Sequence, residues 1–141
     1  MSVKIRLAKE DHEIESCYPV MAQLRPHVAA EEFLPRVKKQ AAIAGYQIAY
    51  LIDGDVKSVA GFRMSECLAW GKFLYVDDFV SGESEQSKGY GGKLFDWLVN
   101  HAQEKRCDQF HLDSAVQRFG AHRLYLMKRM IIEGHHFGLK L

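Results

Sequence analysis

The chain has 141 residues, 48% of them hydrophobic and 26% charged, with a formal net charge of +1. That length fits one domain spanning residues 1–141 with a sizeable core, and the balanced charge gives no global field for a nucleic-acid partner. No apolar run approaches the roughly 20 residues that a bilayer span needs, and the charged N-terminus lacks the apolar core of a secretory signal.

Residues 3–8 (VKIRLA) alternate apolar and polar side chains and predict a first strand. Asp11 is a candidate N-cap for a helix running toward Leu24, where Pro26 discourages continuation. A second helix is predicted over residues 30–44, with Pro35 near its first turn and Gly45 as its stop. YQIAYLI and VKSVAGFRM are then joined by Asp53-Gly54-Asp55, a hairpin signal because glycine supplies the positive φ of the turn. KFLYVDDFV reads as the next strand, followed by a glycine-rich loop and a helix from about Tyr90 to Lys105. A strand over residues 109–116, a helix over residues 119–130 and a strand-like tail containing HHFGLKL complete the order β-α-α-β-β-β-α-β-α-β. The class is mixed α/β around one sheet.

The three cysteines, Cys17, Cys67 and Cys107, are far apart and odd in number. They read as packing residues of a reduced compartment, so the cytoplasm is expected, and no metal site is expected. His135-His136 has no nearby partners and is a poor ligand set.

The loop QSKGYGGKL (Gln86 to Leu94) invites a phosphate-binding reading. A P-loop fails, because Gly92-Lys93 is followed by Leu94 and the glycine five positions before Gly92 is replaced by Ser87. The dinucleotide fingerprint fails at Leu94 and by its late place in a meander. What remains is plain physics. Glycines before a helix let an anion approach first-turn N–H groups at the positive end of the macrodipole, with Lys88 as an added cation. Leu94, Phe95, Leu98, Val99 and Ala102 keep the 3.6 period and form the core stripe of that helix.

Gln86-Ser87-Lys88-Gly89-Tyr90-Gly91 resembles the Arg/Gln-x-x-Gly-x-Gly/Ala signature of the GNAT superfamily of acetyl-CoA-dependent N-acetyltransferases, and it sits between a central strand and a long helix as it does there. Ala121 to Tyr125 is similar to the same family's Ala-x-x-x-Tyr segment. The departures are Gln86 where arginine is commoner, a blurred end after Tyr125, and no asparagine after the fifth strand, leaving Ser114 or Gln117 in its place. The resemblance implies a GNAT-like fold with a mixed, mostly antiparallel sheet of six to seven strands and about four helices. It implies acetyl-CoA as co-substrate. The pantetheine arm would pair with Phe79, Val80 and Ser81, and the pyrophosphate would lie on Gln86, Ser87, Lys88, Gly89, Tyr90, Gly91 and Gly92, with Ser114 nearby.

The partner it implies is a small-molecule or peptide amine, with no nucleic acid or membrane involved. Family members often dimerise, and an edge strand near the C-terminus could pair two copies. An amine of pKa near 10.4 is about one part in several thousand neutral at pH 7, an obstacle of roughly 4–5 kcal/mol. A carboxylate can remove that proton, with gains typically about 10²–10⁴-fold. Asp77 and Asp78, at the end of an apolar strand, are the candidate bases or amine-binding groups; strand alternation puts them on opposite faces. Tyr125 is the candidate acid toward the departing sulfur by the family match. Glu66 and His111 are weaker candidates, and carboxylates near the cleft suggest a cationic acceptor, with Trp70 as an apolar wall. The alternative class is a non-catalytic acyl-CoA sensor on the same fold.

Overall fold

The computed structural model describes residues 3–82 and 88–141 and divides into two compact units, residues 1–111 and residues 112–141. The first unit holds β1 (Lys4–Leu7), α1 (Asp11–Ser16), α2 (Tyr18–Leu24), α3 (Ala30–Ala44), β2 (Gln47–Asp53), β3 (Asp55–Cys67), β4 (Gly71–Ser81) and α4 (Tyr90–Glu104). β5 (Gln109–Leu112) runs across the boundary, its last residue opening the second unit, and α5 (Phe119–Met127) belongs to that second unit. The sheet order is β1-β2-β3-β4-β5, and the pairs from β1 to β4 are antiparallel. The α4 crossover brings β5 alongside β4 in parallel, where Asp108 N–H donates to Lys72 O at 2.7 Å.

The strand pattern explains the layers. Tyr46, Ile48 and Tyr50 on β2 and its approach, with Val59 of β3 and Val80 of β4, pack against Ile14, Cys17, Met21, Phe33 and Val37 of α1 to α3. The alternate residues Leu51, Phe62 and Leu74 are fully buried on the opposite face. There α4 lies on the sheet, with Phe62 edge-on to His101 at 5.7 Å. Leu94, Phe95, Leu98 and Ala102 are buried as their period predicts.

Five expectations need correction. The described residues form five strands and five helices, not six to seven strands and about four helices. The helix expected from Asp11 toward Leu24 is broken at Cys17, because Pro19 in the first turn of the next helix has no N–H to continue the ladder. The N-cap is Glu10, with Asp11 already in the first turn. Residues 128–141 contain no strand: Ile131, Phe137, Leu139 and Leu141 are exposed, and a strand without an edge to pair with does not persist. Pro35 stands inside α3 and not in its first turn, although both ends of that helix are as expected.

The first helix is tied to the sheet through Glu13. Its Oε2 accepts from the Tyr50 hydroxyl at 2.7 Å, and its Oε1 accepts the N–H groups of Lys9 and Glu10 at 3.2 and 3.0 Å. These donors, Tyr50 foremost, hold the Glu13 carboxyl down at about 2. A folded-state value below the unfolded one gives stability that is full above the ordinary carboxylate range and lost as pH falls toward 2. Thermal melts between pH 5 and pH 2 should therefore fall less steeply for Glu13→Gln than for the unsubstituted chain. Parallel curves would show that Glu13 has no such part.

Candidate active site

Alternation should send neighbouring strand residues to opposite faces, yet Asp77 and Asp78 line one cleft. The register explains this. Gly61 pairs with Asp78, but Phe62 pairs with Val76, so Asp77 is an extra residue in β4. Such a bulge re-aims one side chain. Asp78 Oδ1 accepts from Arg25 Nε at 2.8 Å, and its Oδ2 accepts from the Tyr46 hydroxyl at 2.6 Å. Asp77 is gripped in bidentate fashion by Arg63, at 2.9 and 3.2 Å, while its main-chain carbonyl accepts from Arg25 at 3.0 Å. The Arg63 guanidinium lies over the Tyr75 ring at 5.1 Å.

This cluster depends on a glycine. Tyr46 crosses directly over Gly61 to reach Asp78, in the space where any side chain at position 61 would stand. Burial pushes the Tyr46 phenol well above its ordinary range, and the Asp78 charge adds to that. Tyr46 is thus a fixed donor. The cleft, about 510 Å³, is completed by Arg36, Lys39, Gln40 and Ile43 on one side of α3.

The glycine loop meets the helix as expected. Gly89 is the N-cap of α4 at φ 79°, a left-handed conformation that glycine adopts without strain. No atom of the described residues lies within 4 Å of the position of a Cβ there. The first bond of the helix runs from Lys93 N–H to Gly89 O at 3.2 Å, so the amides of Gly91 and Gly92 lie ahead of it in the opening turn. Lys88 is exposed. Tyr90 is buried, and its hydroxyl donates to Asp53 Oδ2 at 2.6 Å, which pins the helix start to the end of β2. Gln86 and Ser87 lie outside the described residues.

β5 starts level with Lys72 and has four residues, so it runs beside only the first half of eleven-residue β4. The stretch holding Phe79, Val80 and Ser81 lies beyond its reach. Phe79 and Val80 are buried, and Ser81 Oγ lies 3.0 Å from Ser58 Oγ.

In the second unit, Ser114 Oγ is buried with no hydrogen-bond partner among the described residues. Tyr125 is buried, and burial raises its phenol above the ordinary tyrosine value, with the charge and hydrogen bond of Arg118 partly opposing this. His136 Nδ1 lies 3.5 Å from Asp113 Oδ2.

The weaker candidates stand elsewhere. His111 is stacked on Trp70 at 3.5 Å and bonded to Gln109, so Trp70 supports β5 and is not among the residues lining the cleft. Glu66 is exposed on β3. Buried Cys17 has its thiol pushed up to about 12 by desolvation, which makes it inert. Among the described residues no group of three or more His, Cys, Asp or Glu side chains could hold a metal ion. Arg25, Tyr46, Gly61 and Arg63 were not singled out by sequence reasoning. Only Gly61 carried a signal, since an isolated glycine inside a strand marks a bulge or a close approach.

Comparison with known proteins follows the same outline. Residues 8–129 match the model of the acetyltransferase (GNAT) family. Over 112 residues, 79% of both chains, the sequence is 29% identical to the uncharacterized N-acetyltransferase YhdJ of Bacillus subtilis (strain 168). A GNAT family acetyltransferase of Staphylococcus aureus superposes with a TM-score of 0.83 at 16% identity, covering 100% of both chains. Glucosamine-6-phosphate N-acetyltransferase from Arabidopsis thaliana gives 0.78 at 18% identity and 99% of both chains.

Proposed function

Given that the chain belongs to the acetyltransferase (GNAT) family, we propose that residues 1–141 work as one N-acetyltransferase domain, in which an amine attacks the thioester of acetyl-CoA directly in a ternary complex. The observation that carries this reading is the glycine-opened start of α4 beside the half of β4 that β5 does not reach.

The residues present fit the co-substrate. First-turn amides at Gly91 and Gly92, with the left-handed Gly89 and the charge of Lys88, suit a pyrophosphate. Gln86, Ser87 and the main chain of Tyr90 belong to the same proposed cradle. The outer half of β4, at Phe79, Val80 and Ser81, suits an extended amide chain, and the Ser114 hydroxyl, without a partner among the described residues, suits a polar group of that chain. When bound, acetyl-CoA supplies an acetyl group already activated as a thioester.

The remaining work falls to the protein. Asp78 is the more enclosed of the two aspartates, its side chain 14% exposed against 29% for Asp77. We assign it the amine proton, taken directly or through one water on a lone pair left over after Arg25 and Tyr46 are satisfied. Asp77 holds Arg63 in place. Tyr125 keeps its proton because burial raises its phenol, and its Oη delivers that proton to the departing sulfur. Among the described residues no helix is long and apolar enough to cross a membrane. A cytoplasmic enzyme is part of this reading, as is a homodimer, which the exposed apolar side chains of residues 131–141 favour.

Isothermal titration with acetyl-CoA tests the cradle. Gly89→Val should bind at least tenfold more weakly, since a β-branched residue at φ 79° is strained by about 1–3 kcal/mol and closes the approach. Its melting point should drop by only a few degrees, because no atom of the described residues stands within 4 Å of the new Cβ. Unchanged affinity removes the cradle. Acetyl-CoA binding without transfer to any member of an amine panel leaves the sensor reading instead.

A further inference from the structure

The charges around the cleft point to the acceptor. Four cationic side chains, Arg25, Arg36, Lys39 and Arg63, face two carboxylates, Asp77 and Asp78. The carboxylates are already matched: Arg25 pairs with Asp78 and Arg63 with Asp77, at 2.8 and 2.9 Å. Arg36 and Lys39, both exposed, have no carboxylate partner among the described residues. They stand three positions apart on α3, so they share one face of the helix. Lys38, between them, turns away to Asp11 at 3.0 Å. The cleft thus carries an excess of two positive charges, the reverse of what a polyamine or aminoglycoside would require. Arg25 and Arg63 also keep donors to spare, because each guanidinium has five N–H groups.

We infer that the acceptor is an amine bearing an anionic group, a carboxylate or a phosphate, which Arg36 and Lys39 bind at the α3 side of the cleft while the amine turns toward Asp78. This rests on the acetyl-transfer reading above and narrows it. Two cations on one helix face give a compact anion two charge-assisted hydrogen bonds, and an arginine fork suits either oxyanion. The neutralised Asp77–Arg63 and Asp78–Arg25 pairs form a floor that neither repels the anion nor traps a second cation.

Calorimetry on the full chain, with and without saturating coenzyme A, separates the cases. Glycine and O-phosphoethanolamine are the anionic probes. Glycinamide and ethanolamine are their uncharged-end counterparts, and spermidine is the polycation. At least one anionic probe should bind about tenfold more tightly than its counterpart, and its affinity should fall as ionic strength rises; which of the two gains more tells carboxylate from phosphate. In Arg36→Gln/Lys39→Gln, two exposed positions where glutamine keeps helix propensity, that ratio should collapse toward one. Equal affinities, no binding of either anionic probe, tighter binding of spermidine, or a ratio that survives the double substitution would each overturn the inference. Acetyl transfer is scored separately. Anion preference without transfer counts against the enzyme reading and leaves the binding assignment standing.

Discussion

Gly61→Val should cost the protein both stability and its aspartate cluster. A Cβ at position 61 would collide with the hydroxyl and ring of Tyr46 and lie 2.7 Å from Asp78 Oδ2. Neither neighbour can retreat. The Tyr46 ring is buried in the core formed by α1 to α3, and Asp78 belongs to the strand that pairs with β3 at that very residue. Overpacking of this kind costs about 1–3 kcal/mol, and separating Tyr46 from Asp78 leaves a buried donor unsatisfied for a further 1–3 or so. A drop of roughly 10 °C in melting temperature follows for a chain of this size, and transfer activity should fall with it. Gly61→Ala in a Tyr46→Ala background is the control. The two changes should cost less together than the sum of each alone, because removing the ring empties the contested space. Strict additivity, or a Gly61→Val protein that melts like the parent, would sink this account.

The same residue shows where sequence reading stops. Local signals were adequate for local structure. Asp53-Gly54-Asp55 makes the expected hairpin, and α3 runs from Ala30 to Ala44 as its pattern predicts. The period of α4 buries the residues it should. The bulge at Asp77 has no such signature, because it arises from the slip in register between β3 and β4. Alternation read along β4 alone necessarily sends Asp77 and Asp78 apart. The arginines were invisible for a related reason: Arg25 stands 53 residues from Asp78, and only folding brings them together. Reading two carboxylates without their partners suggested a cationic acceptor, where the assembled cleft is cationic. In the tail, the alternation of Phe137, Leu139 and Leu141 has the period of a strand, but pairing is a property of neighbours and not of pattern.

Tyr125→Phe should lower kcat by about 10²-fold while leaving acetyl-CoA affinity within a factor of two or so, the signature of an interaction made only as the sulfur departs. The direction of the pH effect follows from burial. A buried phenol resists ionisation, so the Tyr125 value is raised, and a general acid works only while protonated. Any alkaline decline in kcat due to Tyr125 must therefore begin above the ordinary tyrosine range, and it should vanish in the phenylalanine variant. The proton acceptor is tested separately: Asp78→Asn removes it and should lower kcat by about 10²-fold or more. The ring of phenylalanine preserves the packing at position 125, so the melting point should shift little and a loss of fold cannot imitate the kinetic result. A variant with full turnover at every pH would strip Tyr125 of the acid role. Weaker acetyl-CoA binding at unchanged kcat would make it a positioning residue instead.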